Sequence, residues 1–105
     1  MRLIFLGDVL GRSGREAVGR VLPDLRARFA PDCVVVNGEN TTHGFGLSSE
    51  HYFFLRDAGA DVVTLGNHAF DQRELLTTIA REDRLIRPAN WPKDCPGRGS
   101  AMVET

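Results

Sequence analysis

Six side chains able to bind a cation or move a proton stand just past three short apolar runs. Gly7-Asp8 follows the run Arg2–Leu6, Asn37-Gly38-Glu39-Asn40 closes the run Cys33–Asn37, and Gly66-Asn67-His68 follows Asp61–Leu65. Asp8, Glu39, Asn37, Asn40, Asn67 and His68 thus bring carboxylate, amide and imidazole groups to equivalent places. Such donors suit Mn²⁺, iron or Zn²⁺, and the lack of thiolate among them argues against a soft-metal site. A carboxylate can also bridge two cations about 3.5–4 Å apart, the spacing of two-metal phosphoryl chemistry. Paired cations would activate a bound water and neutralise phosphate charge in the transition state. Taken singly, each residue has a plainer reading. Asp8 can be a turn residue, Asn37–Asn40 turn chemistry, Asn67 a cap and His68 a surface histidine. The repetition across three successive runs is what points to function.

The elements that would position these residues follow from periodicity. The three runs are short, continuous and rich in Val, Ile, Leu or Phe, as in parallel strands covered on both faces. Between and after them lie helical patterns at about 14–29, 48–58 and 71–81. In the first, Val18, Val21, Leu22, Leu25 and Phe29 share a face, and Pro23 predicts a kink or a break into two short helices. In the second, Ser48 can cap and Gly59 can terminate. In the third, Asp71 with Glu74 fits a capping box above a stripe of Leu75, Leu76 and Ile79. The order predicts an α/β fold, a parallel sheet built from successive right-handed βα units. Ligands of such sheets bind outside the carboxyl ends of the strands, where the donors stand. Adjacent strands lie about 4.8 Å apart, so the donors can converge if the strands are neighbours.

Leu85-Ile86 reads as a further short strand. Arg87–Gly99 reads as a loop with Pro88, Pro92, Pro96, Gly97 and Gly99, and Ser100–Thr105 as the start of another strand. A chain that stops on entering a strand suggests a single, truncated domain over residues 1–105. His43 lies in the loop Thr41–Gly46, where it can line an entrance but reads first as solvated. His51 reads as a surface residue, Tyr52, Phe53 and Phe54 as core, and Arg12 and Arg15 as an exposed helix start.

Composition sets outer bounds. The chain has 105 residues, 42% of them hydrophobic, with 13 basic against 14 acidic residues and a net charge of -1. That length allows one modest core. The charge balance offers no polybasic surface for duplex nucleic acid or a membrane. The 2 cysteines, Cys33 and Cys95, form no CxxC pair or disulfide framework. That usage suits a reducing compartment, and the expected location is the cytoplasm. No run approaches the roughly 18 apolar residues of a membrane span.

At GDVLGRSGR (7–15), NGENTTHGFGL (37–47), GADVVTLGNHAFD (59–71) and RPANWP (87–92) the chain resembles the calcineurin-like metallophosphoesterases, and most closely their YmdB-like branch. The resemblance implies the amino-terminal half of a four-layer αββα sandwich with a dinuclear centre, often iron or manganese. It implies hydrolysis of phosphoesters, with 2′,3′-cyclic nucleotides as substrates. Carried onto this sequence, it makes Asp8 a ligand of one metal, Glu39 the bridge, Asn40 a further ligand of the first metal and Asn67 a ligand of the second. It makes His68 the acid that protonates the leaving alkoxide. Relatives are longer, and their second half supplies metal-binding histidines that His43 and His51 do not match. The isolated chain is therefore expected to turn over little substrate and to expose an apolar sheet face or edge open to self-association.

Two alternatives stand beside this one. A strand, a glycine-rich turn and a helix also occur in a dinucleotide-binding unit, but Gly7, Gly11 and Gly14 give G-x3-G-x2-G rather than G-x-G-x-x-G. A non-catalytic module that folds with a partner or as an oligomer would share the fold and lack the activity.

Overall fold

The structure is a computed structural model describing residues 1–105. Its elements run β1 (Leu3–Leu6), α1 (Gly11–Phe29), β2 (Cys33–Asn37), α2 (Ser49–Ala58), β3 (Val62–Thr64), α3 (Leu75–Arg81) and β4 (Leu85–Ile86). All strands are parallel and the sheet order is β1-β2-β3-β4. Each crossover advances one position in the same direction, so right-handed connections put all the helices on one face. Ile4, Leu6, Val34, Val36, Val63 and Leu85 face that layer, and Leu22, Tyr52, Leu55, Leu75 and Ile79 pack with them into the core.

The other face is not covered as the continuous apolar runs suggested; it is the exposed apolar face expected of the isolated chain. It carries Leu3, Phe5, Val35, Val62 and Ile86, and Leu3 and Phe5 are 58% and 59% exposed. Residues Ala101, Val103 and Thr105 line one groove with Val35, Val62 and Ile86. That tail forms no strand, contrary to the reading of Ser100–Thr105. The apolar runs reflect a face that this chain itself leaves without helices.

Helix α1 runs as one helix through Pro23, where a kink or a break into two short helices was expected. Proline removes one backbone donor, and Pro23 lies on the exposed side, while Val18 and Leu22 anchor the helix in the core. The chain leaves α1 at Ala30 in a left-handed conformation (φ 44°). At α2 the Ser48 hydroxyl accepts from the His51 amide at 3.1 Å, and Gly59 ends the helix at φ 125°. Tyr52 is buried and donates to Glu82 Oε1 at 2.9 Å, but Phe53 and Phe54 are 46% and 40% exposed rather than core residues. Helix α3 starts at Leu75, without the Asp71–Glu74 capping box. No helix is long and apolar enough to cross a membrane.

Candidate metal centre

Parallel pairing brings the carboxyl ends of β1, β2 and β3 to one edge, in neighbouring positions. Past β1 the chain turns sharply, and Asp8 takes a left-handed conformation (φ 51°) that a residue with a Cβ adopts only at a cost. Past β2, Gly38 extends the ladder by donating to Thr64 O at 2.9 Å. Asn40 then joins the first two ends: its Nδ2 donates to Asp8 Oδ1 at 2.8 Å. The Asn40 carbonyl accepts from the Gly11 and Gly44 amides, each at 3.1 Å, which fixes its backbone against the start of α1 and the loop Thr41–Gly46.

Glu39 joins the second end to the third. Its carboxylate lies flat on Gly66, where an added Cβ would collide with Oε2 and meet Oε1 at 2.5 Å. Only glycine permits that approach. The His68 amide points to Glu39 Oε2 at 3.4 Å, a long contact. Asp8, Asn40, Glu39 and His68 therefore form one connected rim. Asn67 sits exposed between Gly66 and His68, and its side chain makes no hydrogen bond. Asn37, the remaining amide, donates to Thr64 Oγ1 at 3.4 Å.

Three residues around His68 escaped the sequence reading. His68 Nδ1 stands 2.6 Å from Asp71 Oδ2, so the carboxylate expected to cap α3 serves the imidazole. The Phe45 ring stands at 90° to the His68 ring with centroids 6.2 Å apart. Gln72 Nε2 donates to Phe45 O at 2.7 Å, tying the loop Thr41–Gly46 to the segment after β3. The signal available in the sequence was the His68-x-x-Asp71 spacing, which also fits a helix cap.

The other candidates separate. His43 is exposed at φ 53°, and its side chain makes no hydrogen bond to the rim. His51 is not the surface residue expected: it is half-buried, and Nδ1 lies 2.7 Å from Thr42 Oγ1, which also accepts from the Ser48 amide at 2.8 Å. Burial, then the charge of Arg15, lowers its pKa below the ordinary value. Arg12 is exposed and pairs with Glu16, whereas Arg15 is half-buried and donates to Thr41 O at 2.8 Å.

Charge balance describes what the rim can hold. Neither Asp8 nor Glu39 has a lysine or arginine partner; the ion pairs of the chain are Arg12–Glu16, Arg26–Asp61, His68–Asp71 and Arg98–Asp83. Two uncompensated carboxylates beside amide oxygens form a donor set suited to a hard or borderline cation. It is part of a shell: no group of three or more His, Cys, Asp or Glu side chains gathers closely enough to hold a metal.

Known proteins resemble this chain over nearly its whole length. The chain is 41% identical over 104 residues to a Bacillus subtilis protein named 2′,3′-cyclic-nucleotide 2′-phosphodiesterase, covering 99% of this chain and 39% of that one. A crystal structure of a hypothetical protein from Thermus thermophilus superposes with TM-score 0.93 at 45% identity, over 100% of this chain and 40% of that one. A crystal structure of a novel phosphatase from Mycoplasma pneumoniae does so with TM-score 0.90 at 40% identity, over 100% and 39%. The chain thus spans about two fifths of the length of the relatives it matches. The YmdB-like protein family matches residues 4–105, and the chain belongs to that family.

Proposed function

We propose that this chain carries the amino-terminal part of a two-metal phosphodiesterase site, and that the complete site opens 2′,3′-cyclic nucleotides. The observation that carries this reading is the connected rim of Asp8, Asn40, Glu39 and His68, with two carboxylates that no basic side chain neutralises. Asp8 and Asn40 would hold one cation, Asn67 the other, and Glu39 would bridge them; the donor types suit manganese, iron or zinc, and the family resemblance favours iron or manganese. Bound there, the cations would supply an activated water and stabilise charge on the phosphate. Asn40 keeps the Asp8 carboxylate oriented through its 2.8 Å hydrogen bond. His68 holds a proton at an imidazole nitrogen and gives it to the alkoxide oxygen released when a P–O ester bond breaks. The name of the Bacillus subtilis relative supports the cyclic-nucleotide substrate.

The donors of this chain cannot complete two coordination shells, so the 105-residue polypeptide by itself should show little or no turnover. A chimera tests the reading: residues 1–105 joined to the part of the Bacillus subtilis relative that they do not match. With Mn²⁺ it should hydrolyse 2′,3′-cyclic AMP, and His68→Ala should lower the rate by about 100-fold or more, the usual share of a positioned acid. A folded, Mn²⁺-loaded chimera that leaves the substrate intact would overturn the function. Equal turnover by the isolated chain would overturn the claim that the site is partial.

A further inference from the structure

Histidine has two ring nitrogens, and in His68 only Nε2 is left without a protein partner. Nδ1 is 2.6 Å from Asp71 Oδ2. A turn produces this closeness, because the Asp71 amide donates back to His68 O at 3.2 Å and brings residues i and i+3 together. Asp71 has no other assignment. It pairs with no lysine or arginine, and α3 begins too late for it to act as the cap. The surroundings hold the turn in place. A Cβ at Gly46 would meet His68 O at 2.9 Å and Asp71 Cβ at 3.0 Å, so the loop Thr41–Gly46 packs directly on it. Gln72 locks that loop through Phe45 O, and the Phe45 ring stands edge-to-face with the imidazole.

We propose that Asp71 is a positioning residue for His68: its carboxylate accepts Nδ1–H and thereby assigns Nε2 as the nitrogen that delivers the proton. The hydrogen bond at one ring nitrogen sets the state of the other. A ring protonated at both nitrogens gives its Nε2 proton to the leaving oxygen and ends neutral, with the remaining proton on Nδ1 against Asp71. Without Asp71, nothing favours the Nδ1–H form over the Nε2–H form that a free histidine side chain prefers in water. The catalytic consequence rests on the reading of His68 as the acid; the geometry stands apart from it.

Long-range ¹H–¹⁵N spectra of the 105-residue chain, labelled at histidine and recorded with the rings neutral, test the assignment. His68 should appear as the Nδ1–H tautomer. Asp71→Ala should move it to Nε2–H, and Asp71→Asn, which keeps an acceptor oxygen, should retain Nδ1–H. Unchanged His43 and His51 signals report that the fold survives each substitution. A purely structural turn residue would not move the tautomer. An Nε2–H signal in the unsubstituted chain, or a tautomer indifferent to Asp71→Ala, would overturn the proposal. These spectra need no turnover, so an inactive chimera would sink the phosphodiesterase reading and leave the positioning intact.

Discussion

The two edges of the sheet use the same kinds of residue in opposite ways. At the amino edge, just before β3, Asp61 is paired within the chain: Oδ2 accepts from the Val34 amide at 2.8 Å and from Arg26 Nη1 at 3.1 Å. The carbonyls beside it are also taken. Arg26 donates to Gly59 O, Arg56 to Ala60 O and Asp61 O, and Arg84 to Asp61 O. At the carboxyl edge, Asp8 meets the loop after β2 and Glu39 meets the loop after β3, with amide donors and no cationic side chain. One carboxylate is neutralised within the chain and two are not. The difference separates a carboxylate that holds the fold from carboxylates available for chemistry.

Substitutions at the two edges should divide accordingly. Asp61→Ala leaves the buried Val34 amide without its acceptor and removes the charge partner of Arg26, and should cost about 2–3 kcal/mol. Urea unfolding would report this as a lower midpoint at unchanged slope. Glu39→Gln should do the reverse. Stability should stay within about 0.5 kcal/mol, as for a substitution that breaks no buried ion pair. Mn²⁺ affinity of the chimera, followed by electron paramagnetic resonance, should fall by at least about tenfold, or about 1.4 kcal/mol. If Glu39→Gln destabilises as strongly as Asp61→Ala, or leaves Mn²⁺ binding unchanged, the contrast between the edges is lost.

A third substitution probes how the functional edge is braced. Gly46 has φ 81° and no room for a Cβ beside His68 O. Gly46→Ala should cost about 1–2 kcal/mol from the backbone conformation alone. It should also shift the amide signals of His68 and Asp71. A shift confined to residues 42–47 would mean that the loop does not brace the imidazole.

What the sequence made legible was local or repetitive. Cys33–Asn37 emerged as β2 with the expected bounds, because a run of apolar residues ends at a turn. Ser48 and Gly59 matched their roles, because caps act on the nearest backbone. The rim was legible because parallel strands carry successive donors to one edge. What failed depended on contacts distant in the chain or on choices between two local partners. Asp71 has a capping-box neighbour in sequence and an imidazole neighbour in space, and the imidazole won. Asp61 gave no sign of the arginines it meets, since Arg26 and Arg84 lie 35 and 23 positions away. The run Arg2–Leu6, with Leu3 and Phe5, read as a strand covered on both faces because an apolar run cannot report that only one face has helices.

The smallest expected effect concerns His51, and its sign follows from burial. The folded state lowers the His51 pKa below the ordinary 6.5, chiefly by desolvation and then through Arg15; His43 acts the same way, while Glu50 and Glu74 oppose it. The unfolded chain therefore takes up the proton first as pH falls. The contribution of neutral His51 to stability is complete above pH 6.5 and is lost as pH drops through the folded-state pKa. His51 holds Thr42, and Thr42 holds the amide of Ser48, so this loss loosens the loop Thr41–Gly46 that braces the functional edge. The Arg26–Asp61 contact at the amino edge contains no histidine. Thermal unfolding measured in steps downward from pH 6.5 should show a falling midpoint, and His51→Gln should flatten that fall. Arg15→Gln should shift it to lower stability loss at the same pH values, because removing the nearby charge eases the protonation of the folded state. An identical slope in His51→Gln would assign the acid sensitivity to carboxylates and leave the two edges alike in their response to pH.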